Sequence, residues 1–175
     1  MCTIKLAAHA GFCFGVKRAI DIAEKTIQNA KKPVYTLGPI IHNPQTVEHL
    51  RQKGVIPIED FNVEPGILII RSHGASKHVV NLARSKGFKI VDATCPFVKR
   101  VHDYVQLLKN EGYEVIIIGE SNHPEVKAII DEVNDIVAVD NHTDFDKIKL
   151  SKKIGVVAQT TIPRKIFNKI LNRII

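Results

Sequence analysis

Two cysteines stand where a thiol can act as a ligand or a nucleophile. Cys13 lies in Gly11-Phe12-Cys13-Phe14-Gly15 and Cys95 in Asp92-Ala93-Thr94-Cys95-Pro96, each directly ahead of a helical pattern. A helix N-terminus offers unpaired N–H groups and the positive end of the helix dipole, and both stabilise a thiolate, the form that binds metal. Pro96 suits a first helical position. The glycines around Cys13 let a ligand come close to the backbone. The competing reading for either cysteine is a packed small hydrophobe, and for Cys2 that reading is preferred. Three cysteines with no Cys-x-x-Cys pair do not suggest a disulfide framework.

Three histidines repeat this placement. His42 in His-Asn-Pro44, His73 in Ser-His-Gly74 and His123 in His-Pro-Glu125 each fall at a strand-to-helix turn. In parallel α/β sheets the carboxyl ends of strands face the ligand crevice, and helix N-termini there favour anions. Three imidazoles around such a crevice suit a phosphate or diphosphate. Metal binding is the other option, although no compact zinc pattern is present. A single loop histidine is usually a solvated side chain; three in matching positions weaken that explanation. Glu125 sits at a helix N-terminus, where a carboxylate is often only a dipole partner, but beside a bound phosphate it could hold or deliver a proton. Gln159-Thr160-Thr161 places an amide and hydroxyls at another strand end, although alone it reads as a cap before Pro163. His49, His78, His102 and His142 have no such placement and receive no role.

The elements that must position these residues alternate. Strand patterns fall near 3–9, 33–37, 55–58, 67–71, 89–93, 114–118, 136–139 and 154–158, with helical patterns near 15–31, 44–53, 76–86, 97–111, 124–133 and 163–174. This is the pattern of an α/β protein with mainly parallel sheets. A weak repeat of helix, glycine, strand recurs at Leu50–Gly54, Ala83–Gly87 and Leu108–Gly112, with each glycine placed to close its helix in the left-handed conformation. The expectation is two similar lobes, 1–95 and 96–175, each a small parallel sheet flanked by helices. The last helical pattern puts Ile166, Phe167, Ile170, Leu171, Ile174 and Ile175 on one face and then stops without a closing residue, which reads as an interrupted chain.

Composition narrows the classes. No apolar run approaches the ~20 residues needed to span a bilayer, so no membrane span is expected. A strand-like pattern from residue 3 leaves no room for a secretory signal, and the cytoplasm is the expected compartment. The net charge of +7 is confined to the end: residues 1–145 hold 17 Lys and Arg against 17 Asp and Glu, whereas 146–175 hold 8 against 1. A basic arm for nucleic acid would give this distribution, and so would a chain cut before an acidic segment; the second is preferred, and no nucleic-acid partner is expected.

Taken together, Gly-Phe-Cys13-Phe-Gly-Val, His42-Asn-Pro, Ser-His73-Gly, Asp-Ala-Thr-Cys95-Pro, His123-Pro-Glu125-Val and Gln-Thr160-Thr resemble, in order and spacing, the 4-hydroxy-3-methylbut-2-enyl diphosphate reductases. The likeness extends over essentially the whole chain. It implies a three-lobed α/β protein around a 4Fe-4S cluster, with Cys13 and Cys95 as two of three ligands, and the loss of a hydroxyl from an allylic diphosphate to give isopentenyl and dimethylallyl diphosphate. The third cysteine, a Ser-x-Asn segment and a later serine of that family would lie beyond residue 175, and the first strand, 3–9, would belong with the third lobe. Cys2 is no substitute, because a strand rising about 3.3 Å per residue carries it tens of ångströms from Cys13. By the same resemblance, His42, His73 and His123 hold the diphosphate, and Glu125 and Thr160 pass protons. A ferredoxin- or flavodoxin-like protein would supply electrons, and a separate chain could carry the third lobe. The alternative is a non-catalytic, diphosphate-binding or decayed fragment without a stable cluster.

Overall fold

A computed structural model describes residues 3–8, 10–133, 135–145, 148 and 153–175. Seven strands and six helices follow one another along these residues. Strands β1 (Val34–Leu37), β2 (Val55–Ile58), β3 (Ile67–Ile70) and β4 (Lys89–Asp92) form one parallel sheet in the order β2-β1-β3-β4. Strands β5 (Glu114–Ile118), β6 (Ile136–Val139) and β7 (Ile154–Ala158) form a second parallel sheet in the order β6-β5-β7. The connecting helices are α1 (Phe14–Asn29), α2 (Pro44–Gln52), α3 (Lys77–Ser85), α4 (Pro96–Asn110), α5 (Pro124–Glu132) and α6 (Arg164–Ile174).

Both sheets are covered on both faces, which explains why their central strands are nearly continuous aliphatic runs. Alternation along a strand divides each sheet between two cores. On the first sheet, Val34 and Ile69 face Ala19 and Ala23 of α1 and Leu50 of α2, while Tyr35, Leu68 and Ile70 face Ala83 of α3. On the second, Val115 and Ile117 pack with Val105 of α4 and with Val126 and Ile129 of α5, while Ile116 and Ile118 meet Ile170 of α6.

The helix–glycine–strand repeat has its expected geometry: Gly54, Gly87 and Gly112 have φ of 106°, 86° and 77°. At Gly87 the N–H of Phe88 donates to the carbonyl of Ala83, and at Gly112 that of Tyr113 donates to Leu108, the six-to-one bond of a Schellman closure.

One expectation needs correction. Residues 3–8 form no strand, and Ile4 and Leu6 are 85% and 89% exposed. A strand needs a hydrogen-bonded neighbour, and among the described residues none lies alongside this segment; His9 and Cys2 fall outside them. The apolar face of α6 is covered. Ile166, Phe167, Ile170, Leu171 and Ile174 all pack against the second sheet, and only Ile175 of the expected stripe is fully exposed.

Candidate active site

Each sheet reverses its strand order once, between β1 and β3 in the first and between β5 and β7 in the second. At such a switch point the connections leave in opposite directions and a crevice opens beyond the carboxyl ends of the strands. His42 follows β1, His73 follows β3, His123 follows β5 and Thr160 follows β7, so four of the singled-out residues flank the two reversals. Cys95 follows β4, the edge strand beside β3.

Short backbone links hold these loops together. The Ser72 N–H and hydroxyl both donate to the carbonyl of Ile40, and the Cys95 N–H donates to the carbonyl of Ser72 at 2.9 Å. Arg18 of α1 reaches across to the carbonyl of Thr94. The His42 and Cys95 loops are thereby fixed to the loop that carries His73.

The three histidines converge. Ring centroids are 4.4 Å apart for His42 and His73, 5.5 Å for His42 and His123, and 5.4 Å for His73 and His123. One ring nitrogen from each lies within 4.8 Å of the others. The N–H of Glu125 donates to Nδ1 of His123 at 3.2 Å, closing the N-terminus of α5 with an imidazole. That nitrogen must be unprotonated, so neutral His123 carries its proton on Nε2. Burial, and then the neighbouring His42 and Arg71, lower the pKa of His123, against the opposing pull of Glu125 and Glu120. Burial also holds His73 down to about 3, aided by His42, His123 and Arg71. Near neutrality these two rings offer N–H donors and lone pairs rather than charge. Nδ1 of His73 is buried without a partner among the described residues.

Glu125 is buried, 1% exposed, yet both carboxylate oxygens are satisfied by one residue of the opposite strand end. The Thr160 N–H donates to Oε1 and the Thr160 hydroxyl to Oε2, both at 2.8 Å. Gln159 fixes this turn: its Oε1 accepts from the N–H of Glu120 and its Nε2 donates to the hydroxyl of Thr161. Gly119 makes that possible, since a Cβ there would stand 2.7 Å from the Gln159 Cβ.

Cys13 and Cys95 occupy the N-cap positions of α1 and α4, with no side-chain capping bond at either. They line one concavity of about 760 Å³ together with Phe14, Phe97, Tyr104 and Thr160. Gly15 leaves room for the second thiol, because a Cβ at that position would lie 2.6 Å from the Cys95 Sγ. Two thiols at two helix N-termini, in a largely apolar hollow, are a donor set that fits part of an iron–sulfur cluster, whose irons are held by thiolates. The histidines do not line this hollow; Thr160, bonded to Glu125, connects it to their cluster.

One group without a sequence signal is His102. Its Nδ1 lies 2.7 Å from Oε2 of Glu132, whose Oε1 is paired at 2.7 Å with Lys77 of α3. This triad ties α3, on the first sheet, to α4 and α5, on the second.

Residues 4–175 match the profile of the family described as LytB protein. The chain belongs to the LytB family. It is 42% identical to the 4-hydroxy-3-methylbut-2-enyl diphosphate reductase of Aquifex aeolicus (strain VF5) over 179 residues, covering 99% of this chain and 62% of that relative. With the reductase of the same name from Citrifermentans bemidjiense it shares 46% over 159 residues, 89% of this chain and 56% of the relative. A solved structure titled as the (E)-4-hydroxy-3-methyl-but-2-enyl diphosphate reductase, the terminal enzyme of the non-mevalonate pathway, superposes with a TM-score of 0.88 at 43% identity, covering 98% of this chain and 63% of that one. The E-1-hydroxy-2-methyl-but-2-enyl-4-diphosphate reductase of Plasmodium falciparum gives 0.89 at 37% identity, with 95% and 54% covered. This LytB chain thus spans about three-fifths of the length of the relatives it matches, corresponding to their N-terminal part. The LytB relatives are named as reductases, so the family is one of oxidoreductases. Among its described residues no helix is long and apolar enough to cross a membrane.

Proposed function

We propose that this chain supplies the diphosphate-binding and proton-delivering part of a reductase that converts 4-hydroxy-3-methylbut-2-enyl diphosphate into isopentenyl and dimethylallyl diphosphate, the last step of the non-mevalonate isoprenoid pathway. One observation carries the reading: three imidazoles from three strand ends meet beside a buried carboxylate whose hydrogen-bond partner, Thr160, opens into the hollow that holds both cysteines. Cys13 and Cys95 would hold a 4Fe-4S cluster as two of its thiolate ligands, the third coming from outside this chain, in a further lobe or a separate chain. When bound, such a cluster supplies electrons and a Lewis-acidic iron, drawing the electrons from a ferredoxin- or flavodoxin-like donor. We divide the chain into lobes at 1–95 and 96–175 and place the protein in the cytoplasm.

His42, His73 and His123 hold the diphosphate through ring N–H donors. Glu125 and Thr160 pass a proton to the departing hydroxyl group, and Thr160 alone of the pair lines the hollow. The two hydrogen bonds from Thr160 fix the carboxyl group for that exchange.

A second reading, a diphosphate-binding chain without a stable cluster, is favoured by the presence of only two thiols in the hollow among the described residues. Anaerobic reconstitution followed by iron and sulfide analysis and a turnover assay separates the two. Stoichiometric cluster and turnover, alone or with a chain supplying the remaining lobe, establish the first. Diphosphate binding without either establishes the second.

A further inference from the structure

Building on the reading of the three histidines as a diphosphate site, we propose that Arg71 is the fixed positive charge of that site, a further anion-binding residue behind the imidazoles. Arg71 is the first residue after β3 and lies two before His73. It is half-buried, yet its guanidinium makes no hydrogen bond and no ion pair among the described residues. Arg18, by contrast, is bonded to a carbonyl, Arg51 is paired with Glu48, and Arg173 lies over the ring of Phe145. A cation partly withdrawn from water loses hydration, and without a counter-charge that loss goes uncompensated until an anion arrives.

The placement is specific. Nη1 of Arg71 lies against the loop that follows β1, where a Cβ on Gly38 would stand 3.1 Å from it. That loop leads to His42, so the guanidinium borders the connections that carry two of the three histidines. Its charge is felt at the third as well as at His73. The crevice around it also holds Lys127 and Asp131 of α5, but Asp131 does not pair with it.

Charge balance favours the role. The capping bond requires Nδ1 of His123 to be unprotonated, and Glu120 and Glu125 add negative potential at that ring. Neutral imidazoles can donate hydrogen bonds to a diphosphate but cannot balance its two or more negative charges. A guanidinium is charged at every relevant pH and presents donors that match phosphate oxygens.

Calorimetric titration of the full chain with inorganic diphosphate tests this on the wild type, Arg71→Met and Arg71→Lys. Arg71→Met, which keeps the side-chain stem, is expected to weaken binding at least tenfold, and Arg71→Lys, which keeps the charge, less than about threefold. The titration of His123, followed by NMR, should move upward in Arg71→Met and not in Arg71→Lys; the groups facing that ring are His42, His73, Glu120, Glu125 and Arg71. Binding by Arg71→Met within twofold of wild type overturns the inference and leaves the histidine site standing. If wild type itself does not bind diphosphate, the underlying site reading fails, and this inference with it. Should Arg71→Met lose its fold, Arg71→Gln carries the same comparison.

Discussion

At the scale of single residues, the site is built on hydrogen bonds that fix protonation. The bond from the Glu125 N–H to His123 selects one imidazole tautomer, and the pair of bonds from Thr160 selects one carboxyl orientation. Replacing Glu125 with alanine removes the charged acceptor of both Thr160 hydrogen bonds, a loss of about 1–3 kcal/mol that urea unfolding of the chain will register. Under the proposed function, Glu125→Gln should lower turnover of the reconstituted protein on the order of 100-fold or more while the fold persists.

His73 adds a pH dependence of known sign. Its folded pKa, about 3, lies below the ordinary 6.5, so between those values the unfolded chain binds the extra proton. The stability contributed by neutral His73 is therefore fully present above about pH 6.5 and declines as pH falls toward 3. Urea midpoints measured at pH 7 and pH 5 should show this decline, and His73→Asn should flatten it. A midpoint that rises on acidification would reverse the assignment.

At the scale of elements, local chemistry and tertiary packing divided the work. The helices and the seven internal strands lie within about two residues of their expected bounds, because caps and glycine closures are local signals. Gly87→Ala forces a side chain into the left-handed region at φ 86°. It should cost about 1–2 kcal/mol in thermal or urea unfolding. Gly15→Ala is a sharper test of the cysteine hollow. The added methyl would meet the Cys95 Sγ at 2.6 Å, so the thiol must move, and iron incorporation on reconstitution should fall below that of wild type. The segment 3–8 failed as a strand because alternation of apolar residues states only a preference. Pairing is what makes a strand, and no neighbour is present among the described residues.

At the scale of the whole molecule, the two sheets are coupled by a charged triad as well as by their loops. The side chain of Glu132 is only 7% exposed, held between Lys77 and His102. Burial raises its pKa, but the hydrogen bonds from Lys77 and His102 outweigh this and leave it below the usual 4.5. Its contribution is present above pH 4.5 and lost as pH falls through the lower folded value. Glu132→Gln should lower the cooperativity of unfolding, seen as a smaller urea m-value or as separate transitions for the two sheets, since it weakens the bridge while sparing both cores.

The sequence by itself determined the alternation of strands and helices, the parallel sheets that follow from it, and the placement of Cys13, Cys95, His42, His73, His123 and Thr160 at the turns beside strands and helix N-termini. These follow from local periodicity and from the rule that parallel connections carry function at one end of a sheet. Only the tertiary structure decided which of those turns meet. Two order reversals, in separate sheets, bring the three imidazoles together. Burial then sets their charge, and packing brings Glu132 between Lys77 and His102 and leaves Arg71 without a hydrogen-bond or ion-pair partner among the described residues. Desolvation and approach across long sequence separations are properties of the packed whole, and no spacing along the chain encodes them.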